Sequence, residues 1–481
     1  MNNLTVISSV PWTDTMSPLM APAVLKASLE KNGINAIAFD LNAEVRSRIA
    51  SSSHRDSIIK FFLTSQVDIN AIDAIEDIMQ YMADRVLQYN PKWVALSLLT
   101  YVSQLPNKWL CFMIKHRAPH VKIVIGGPGC YSTLKSIDSY TAQLKSNKII
   151  DHFVTGDGEQ ALVDLIKGLG NSDGINSDAW VEVRDLENLP IPNYDDYDWS
   201  LYNIRRVSIW GSRGCVRTCT FCDIHEHWKK YTWRSAESIF NEIKHQREKY
   251  GVNNFRFADS LVNGNQKEYR KLIRLLADYN SCLDSTDKVR WTGFFILRPS
   301  DQMKSEDWEY TALSGAELLS VGVESFVDHI REHIQKKFTN KDLEFSLVMA
   351  KKYKLRMNLL VIVGYVTETE QDHQEQLKWI RENQQYANDP VVSVAVGSGL
   401  GILPNTWLDR HKDELGIVMK SDRVYQDWER PEIGSTPSVR MRWWQETVDE
   451  LKKNGFKPSF TEDNHMLIEQ YIVKKYAANP S

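Results

Sequence analysis

The first third of the chain alternates short apolar runs with amphipathic stretches. Leu4 to Val10, Ala36 to Leu41, Trp93 to Leu99, Lys122 to Gly127 and Asp151 to Gly156 are apolar on both faces. Between them, Ala21 to Lys31, Ile72 to Gln88, Leu105 to His116 and Glu159 to Leu169 repeat their apolar residues at helical spacing. Strands buried on both faces and separated by helices predict a doubly wound parallel sheet over residues 1–170. Ligands of such sheets sit beyond the carboxyl ends of the strands. Those ends read Ser97 to Thr100, Gly126-Gly127-Pro128-Gly129 and Gly156-Asp157-Gly158-Glu159. Small residues there admit either close approach of a ligand or plain tight turns, and the pattern leaves both open.

Residues 171–205 turn polar, carry Pro190 and Pro192, and read as a linker. Alternation then resumes with strands Arg206 to Gly211, Asn254 to Ala258, Val289 to Leu297, Leu318 to Val323, Arg356 to Gly364 and Val391 to Val396. Helical periods fall at Ala236 to Tyr250, Lys267 to Tyr279, Lys341 to Lys354 and Gln371 to Asn383. This α/β pattern predicts a partial (β/α)6 barrel over residues 206–408. The Glu- and Lys-rich helix faces read as solvated. The stretch Asp409 to Ser481, charged and Trp-rich, reads as a helical C-terminal extension that caps the barrel mouth or the interdomain cleft.

Composition narrows the class. A chain of 481 residues predicts about three units. With 42% hydrophobic and 25% charged residues it reads as a soluble globular protein, and no apolar run reaches the ~20 residues that cross a bilayer. The first residues lack the basic and apolar regions of a secretory signal, so a cytoplasmic location is expected. Basic and acidic residues number 58 and 62, for a net charge of -4, and no basic tract points to nucleic acid.

Chemistry concentrates in GSRGCVRTCTFCDIH, which holds Cys215, Cys219 and Cys222 of the chain's 6 cysteines. Three thiols this close have no disulfide pairing scheme, so metal binding is their natural use. A cubane iron-sulfur cluster normally takes four cysteines, so three leave one iron open. An open position implies chemistry at the metal, whereas a closed site is structural. The alternative is a zinc-binding interaction module completed by His225 or His227. The loop follows the first barrel strand, on the face where barrel enzymes build active sites.

The spacing Cys-x3-Cys-x2-Cys, with Phe221 before the last cysteine, resembles the signature of radical S-adenosylmethionine (radical SAM) enzymes. The segments YTWRSAESIFNEI, NNFRFADSLVNGN, LSVGVES, LLVIVGYVTETEQD and LPNTWL are similar to family segments at later strand ends. The resemblance implies a [4Fe-4S] cluster on the three cysteines and S-adenosylmethionine on its open iron, cleaved to a 5'-deoxyadenosyl radical. It also implies cofactor contacts from Phe221, Asp259, Arg298, Glu324, Ser325 and Gly364. Tyr365, Val366 and Thr367 depart from the family's x-Pro-Gly in the fifth turn, although Glu368 and Thr369 are kept.

A doubly wound domain before the cluster, with GGPG and TGDGE turns, resembles the Rossmann-like cobalamin-binding domain of the cobalamin-dependent radical SAM class. The resemblance implies cobalamin against Ser97, Gly126, Gly127, Gly156 and Gly158, and a C-methyltransferase or related radical reaction. No histidine lies between Ser8 and Met20, so a lower histidine ligand to cobalt is not expected. The implied partners are a small-molecule or peptide substrate and an electron donor such as flavodoxin or ferredoxin, with no membrane. A cobalamin-free epimerase or rearrangement enzyme is the alternative. Cys282, the only cysteine after the loop, precedes the third barrel strand and so lies at the wrong end to serve as hydrogen donor. A methylthiotransferase would carry three further cysteines in its first domain, where only Cys111 and Cys130 occur.

Overall fold

The computed structural model describes residues 4–13, 17–130, 139–169, 174–387, 392–397, 399–421 and 425–459. The chain divides into two units, residues 1–208 with 248–252 and residues 209–247 with 253–481.

In the first unit, strands β1 (Thr5–Ser9), β2 (Ala36–Phe39), β3 (Trp93–Ser97), β4 (Lys122–Gly126) and β5 (His152–Val154) form one sheet in the order β2-β1-β3-β4-β5. All pairings are parallel, with Thr5 opposite both Ala36 and Trp93. The helix Ile72–Leu87 turns Ile75, Met79, Met82 and Val86 to one face, the spacing that buries an apolar stripe. That stripe joins Val6, Phe39, Val94, Leu96, Ile123 and Ile125 in a single core. Strand order reverses between β1 and β3, which makes their carboxyl ends the switch point where such sheets bind ligands.

Residues 174–205 are not a free tether. Ile175 bridges Val154, Val181 bridges Gly156, and the Asp157 amide donates to Val181 O at 2.9 Å. Farther on, Tyr197 donates to Leu19 O at 2.9 Å and Tyr202 to the Asp40 carboxylate at 2.7 Å. The segment therefore belongs to the first unit. Its polar composition reads as a linker, but backbone groups attach it at Ile175 and Val181 and tyrosine hydroxyls attach it farther on, which composition does not report.

In the second unit, β6 (Arg206–Ile209, straddling the unit boundary), β7 (Asn254–Phe257), β8 (Arg290–Phe295), β9 (Ala316–Glu324), β10 (Arg356–Val361), β11 (Val392–Val396) and β12 (Pro458–Ser459) lie side by side in chain order. The pairings from β7 to β12 are parallel. The first six strands match the expected alternation to within a few residues. The seventh is a correction. The chain after 408 forms a short ribbon, Val418–Met419 with Trp428–Glu429, and the helix Pro437–Lys453, then returns β12 to the sheet with Pro458 opposite Val394. A two-residue pairing is too short to register as a sequence period. Among the described residues no helix is long and apolar enough to cross a membrane.

Candidate active site

The cysteine loop hangs from a small antiparallel ribbon, Ser212–Arg213 with Thr232–Trp233, just beyond β6. Asp259, two residues past β7, fixes the base of that ribbon. Its buried carboxylate accepts from the Gly211 amide at 3.0 Å and from the Ser212 hydroxyl at 2.5 Å. Burial pushes its carboxyl up to about 7 despite those two donors. Asp259 thus acts on the loop's anchor.

The loop itself is clasped from three sides. Thr220 N donates to Ile334 O at 3.3 Å, and Thr218 Oγ1 to Gln335 Oε1 at 2.8 Å. Leu408 N donates to Thr220 O at 3.1 Å. The Tyr365 hydroxyl lies 2.6 Å from Thr220 Oγ1 and 2.8 Å from His333 Nδ1. Cys219 and Phe221 pack against an apolar wall that includes Ile334, Tyr365, Leu408 and Trp428. Tyr365, at the variable position of the x-Pro-Gly turn, therefore supplies a bond to the loop.

The three thiols are partly exposed and unbridged. Burial pushes all of them up, Cys222 to about 12, so a metal centre would take the place of their protons. The Arg217 amide donates to Cys215 Sγ at 3.4 Å. The nearby imidazoles are engaged elsewhere: His225 Nε2 meets Arg217 O at 2.5 Å, and His227 Nε2 lies 3.4 Å from Asp223. Among the described residues no group of three or more His, Cys, Asp or Glu side chains, the three thiols included, is drawn together around a single metal ion. Three thiols spaced along one loop are donors of the kind a cubane with one open iron takes.

Other candidates divide between the rim and the wall. Glu324 ends β9 at a bulge, with φ 65°, and pairs with Lys336 at 2.6 Å. Arg298 donates from Nη2 to Asn263 O and Gly264 O, each at 3.0 Å. Burial, and then the charge of Arg217, pulls its guanidinium down to about 10. Ser325 instead turns inward, donating to Gln376 Oε1 at 3.1 Å and accepting from Val327 N. Gly364, with φ 81°, is pressed on Arg440, whose Cδ would lie 2.4 Å from an added Cβ. Cys282 is exposed at the end of the helix Gln266–Ser281.

In the first unit, Ser97 O accepts from Val10 N across the switch point at 3.0 Å. The glycines there serve the chain's own packing. A Cβ at Gly127 would lie 2.5 Å from Leu98 O, and one at Gly156 2.3 Å from Val181 O. Gly126 has only ordinary contacts, and Gly158 abuts Leu25. Leu99 and Tyr101, just past β3, are exposed apolar side chains that the sequence reading did not single out. His152 lies within β5, its Nδ1 3.0 Å from Asn176 Nδ2.

Residues 211–380 match the model of the radical SAM superfamily. The chain carries a radical SAM domain, and the cysteine loop lies within it. Over 94% of its length it shares the fold of solved radical SAM enzymes. The radical SAM methyltransferase TsrM from Kitasatospora setae, solved with cobalamin and a [4Fe-4S] cluster, superposes with a TM-score of 0.63 at 14% identity, covering 94% of this chain and 91% of that one. The cobalamin-dependent radical enzyme OxsB superposes with a TM-score of 0.65 at 15% identity, covering 94% and 66%. Among curated relatives, the anaerobic magnesium-protoporphyrin IX monomethyl ester cyclase of Synechocystis sp. is 24% identical over 71% of this chain and 68% of its own length. The cytidylyl-2-hydroxyethylphosphonate methyltransferase of Streptomyces wedmorensis is 22% identical over 61% and 55%.

Proposed function

We propose that this protein is a cobalamin-dependent radical SAM methyltransferase. The observation that carries this reading is a loop with three half-buried thiols, in a chain whose fold over 94% of its length matches an enzyme solved with cobalamin and a [4Fe-4S] cluster. When bound, the cluster supplies reductive cleavage of S-adenosylmethionine and cobalamin supplies a transferable methyl group. Cys215, Cys219 and Cys222 hold the cluster in this reading. The wall of Ile334, Tyr365, Leu408 and Trp428 shields the loop's inner side from water. Glu324 offers a carboxylate for the cofactor's ammonium, and Arg298 or Arg217 a guanidinium for its carboxylate. In the first unit, exposed Leu99 and Tyr101 beyond β3 offer apolar surface for a corrin.

The test is anaerobic reconstitution followed by iron, sulfide and cobalamin analysis. It continues with incubation of reduced enzyme, methyl-labelled S-adenosylmethionine and candidate acceptors. Label recovered in a product heavier by one methylene supports the reading. A product that has lost two hydrogens and carries no label would instead favour ring formation of the cyclase kind. Because His152 lies within β5, bound cob(II)alamin is expected to show no histidine-nitrogen splitting by paramagnetic resonance. Protein that takes up zinc but no iron refutes the assignment of the loop.

A further inference from the structure

Lys336 lies outside every motif in the sequence, yet the fold places it beside the cysteine loop. Its Nζ is 2.6 Å from Glu324 Oε1, and the two side chains are only 12% and 11% exposed. The pair lies over the strand beside it: a Cβ at Gly322 would lie 2.5 Å from Glu324 Oε1 and 2.8 Å from Lys336 Nζ, so a larger residue there would have to push the two flexible side-chain ends aside. The register of β9 on β10 slips between Gly322 and Glu324, and Glu324 takes φ 65°. A buried ion pair is a poor source of stability, because desolvation offsets much of its attraction. A buried charge kept for so small a gain in stability points to a use for it.

The carrier of Lys336 is the segment that clasps the loop. Ile334 O and Gln335 Oε1 accept from Thr220 N and Thr218 Oγ1. Gln335 and Lys337, on either side of Lys336, both adopt positive φ, at 70° and 57°. The ammonium is thus held by a bent segment anchored to the loop itself. Its carboxylate partner Glu324 is in turn fixed at the bulge that ends β9.

We infer that Lys336 is a positioning residue for the redox centre: its charge stabilises the reduced cluster and so sets how readily the enzyme accepts its electron. This rests on the proposed cluster at Cys215, Cys219 and Cys222. An oxidised cubane on three thiolates is already anionic, and one electron adds a further negative charge. A fixed ammonium on the segment that clasps the cysteine loop favours that state, since cluster potentials follow net charge and local electrostatics. The electron comes from an external one-electron donor of the flavodoxin or ferredoxin class, and no proton transfer is required. Glu324 opposes the effect, so the two partners act on the potential with opposite signs.

The experiment is a redox titration of the reconstituted enzyme followed by paramagnetic resonance, with iron and sulfide measured first. Lys336→Met keeps length and apolar bulk and should make the midpoint potential more negative at wild-type iron content. Lys336→Arg should restore it, and Glu324→Gln should move it the other way. Opposite shifts separate an electrostatic role from loss of structure, which would move both variants alike. Lys336→Met with an unmoved midpoint overturns the inference, including when S-adenosylmethionine binding weakens, since the lysine would then serve the substrate. Wild-type protein lacking iron and sulfide refutes the cluster itself, a failure distinct from that of Lys336.

Discussion

Gly364→Ala tests whether a glycine at a strand end serves a ligand or the fold. The residue sits at φ 81°, where a side chain costs roughly 1–2 kcal/mol. The added Cβ would lie 2.4 Å, 2.5 Å and 3.0 Å from Cδ, Cγ and Cβ of Arg440. Arg440 cannot readily step aside. Its guanidinium lies 3.7 Å over the Trp428 ring and donates to Trp428 O at 2.8 Å, Gln426 O at 3.1 Å and Ser435 Oγ at 3.2 Å. Overpacking of this kind costs about 1–3 kcal/mol, so the substitution should destabilise the cluster-free chain by about 2–5 kcal/mol in all. Urea denaturation of wild type, Gly364→Ala, Arg440→Ala and the double variant isolates the contact. Arg440→Ala removes Cδ and Cγ but keeps Cβ at 3.0 Å, so against it Gly364→Ala should cost the torsional part, roughly 1–2 kcal/mol, plus a remnant of that last contact, with a shortfall from additivity of about 1–3 kcal/mol. Additive costs, or unchanged stability with S-adenosylmethionine binding lost, would refute the steric account and return Gly364 to the cofactor.

Three further outcomes are expected. Tyr365→Phe keeps the ring but strips the Thr220 hydroxyl of its partner, and should destabilise by about 1–3 kcal/mol. Faster hydrogen exchange across residues 214–224 would mark the loosened loop, and unchanged exchange would refute the bond's role. Asp259, held near 7 by burial against an ordinary value of 3.8, binds its proton more tightly in the folded chain. Its contribution is therefore fully present below pH 3.8 and is lost as pH rises through about 7. Thermal unfolding of Asp259→Asn should lack that part of the decline, and parallel pH profiles would count against it. Val181→Pro removes the donor to Thr155 O and should weaken the edge of the first sheet by about 1 kcal/mol. Limited proteolysis should then cut residues 174–205 faster than in wild type, where a free tether would be cut equally in both.

Strands and helices were legible because burial on two faces or one imposes a period on several successive residues. The cysteine loop was legible because metal chemistry demands particular side chains at fixed spacing. Where physics acts through backbone or through distant partners, the sequence was silent or misleading. Val181 holds Gly156 by main-chain atoms, so a turn that resembled a ligand cradle is filled by the chain's own later segment. Ser325 shares a family-like segment with Glu324, but it lies just past the bulge where Glu324 takes φ 65° and β9 ends, and the serine is spent on Gln376. Lys336 offered no signal at all: a lysine in Gln-Lys-Lys reads as a solvated charge until a bent segment turns it inward. Tyr365 left no trace either: it stands at the variable position of its family-like turn, where the motif accepts any residue, and the departures from Pro and Gly fall on Val366 and Thr367 beside it. The bond that its hydroxyl makes to Thr220 depends on a partner 145 residues away in sequence, which no local motif can report. Variable positions of a motif therefore carry function where their side chain is long, polar and directed at the reactive loop.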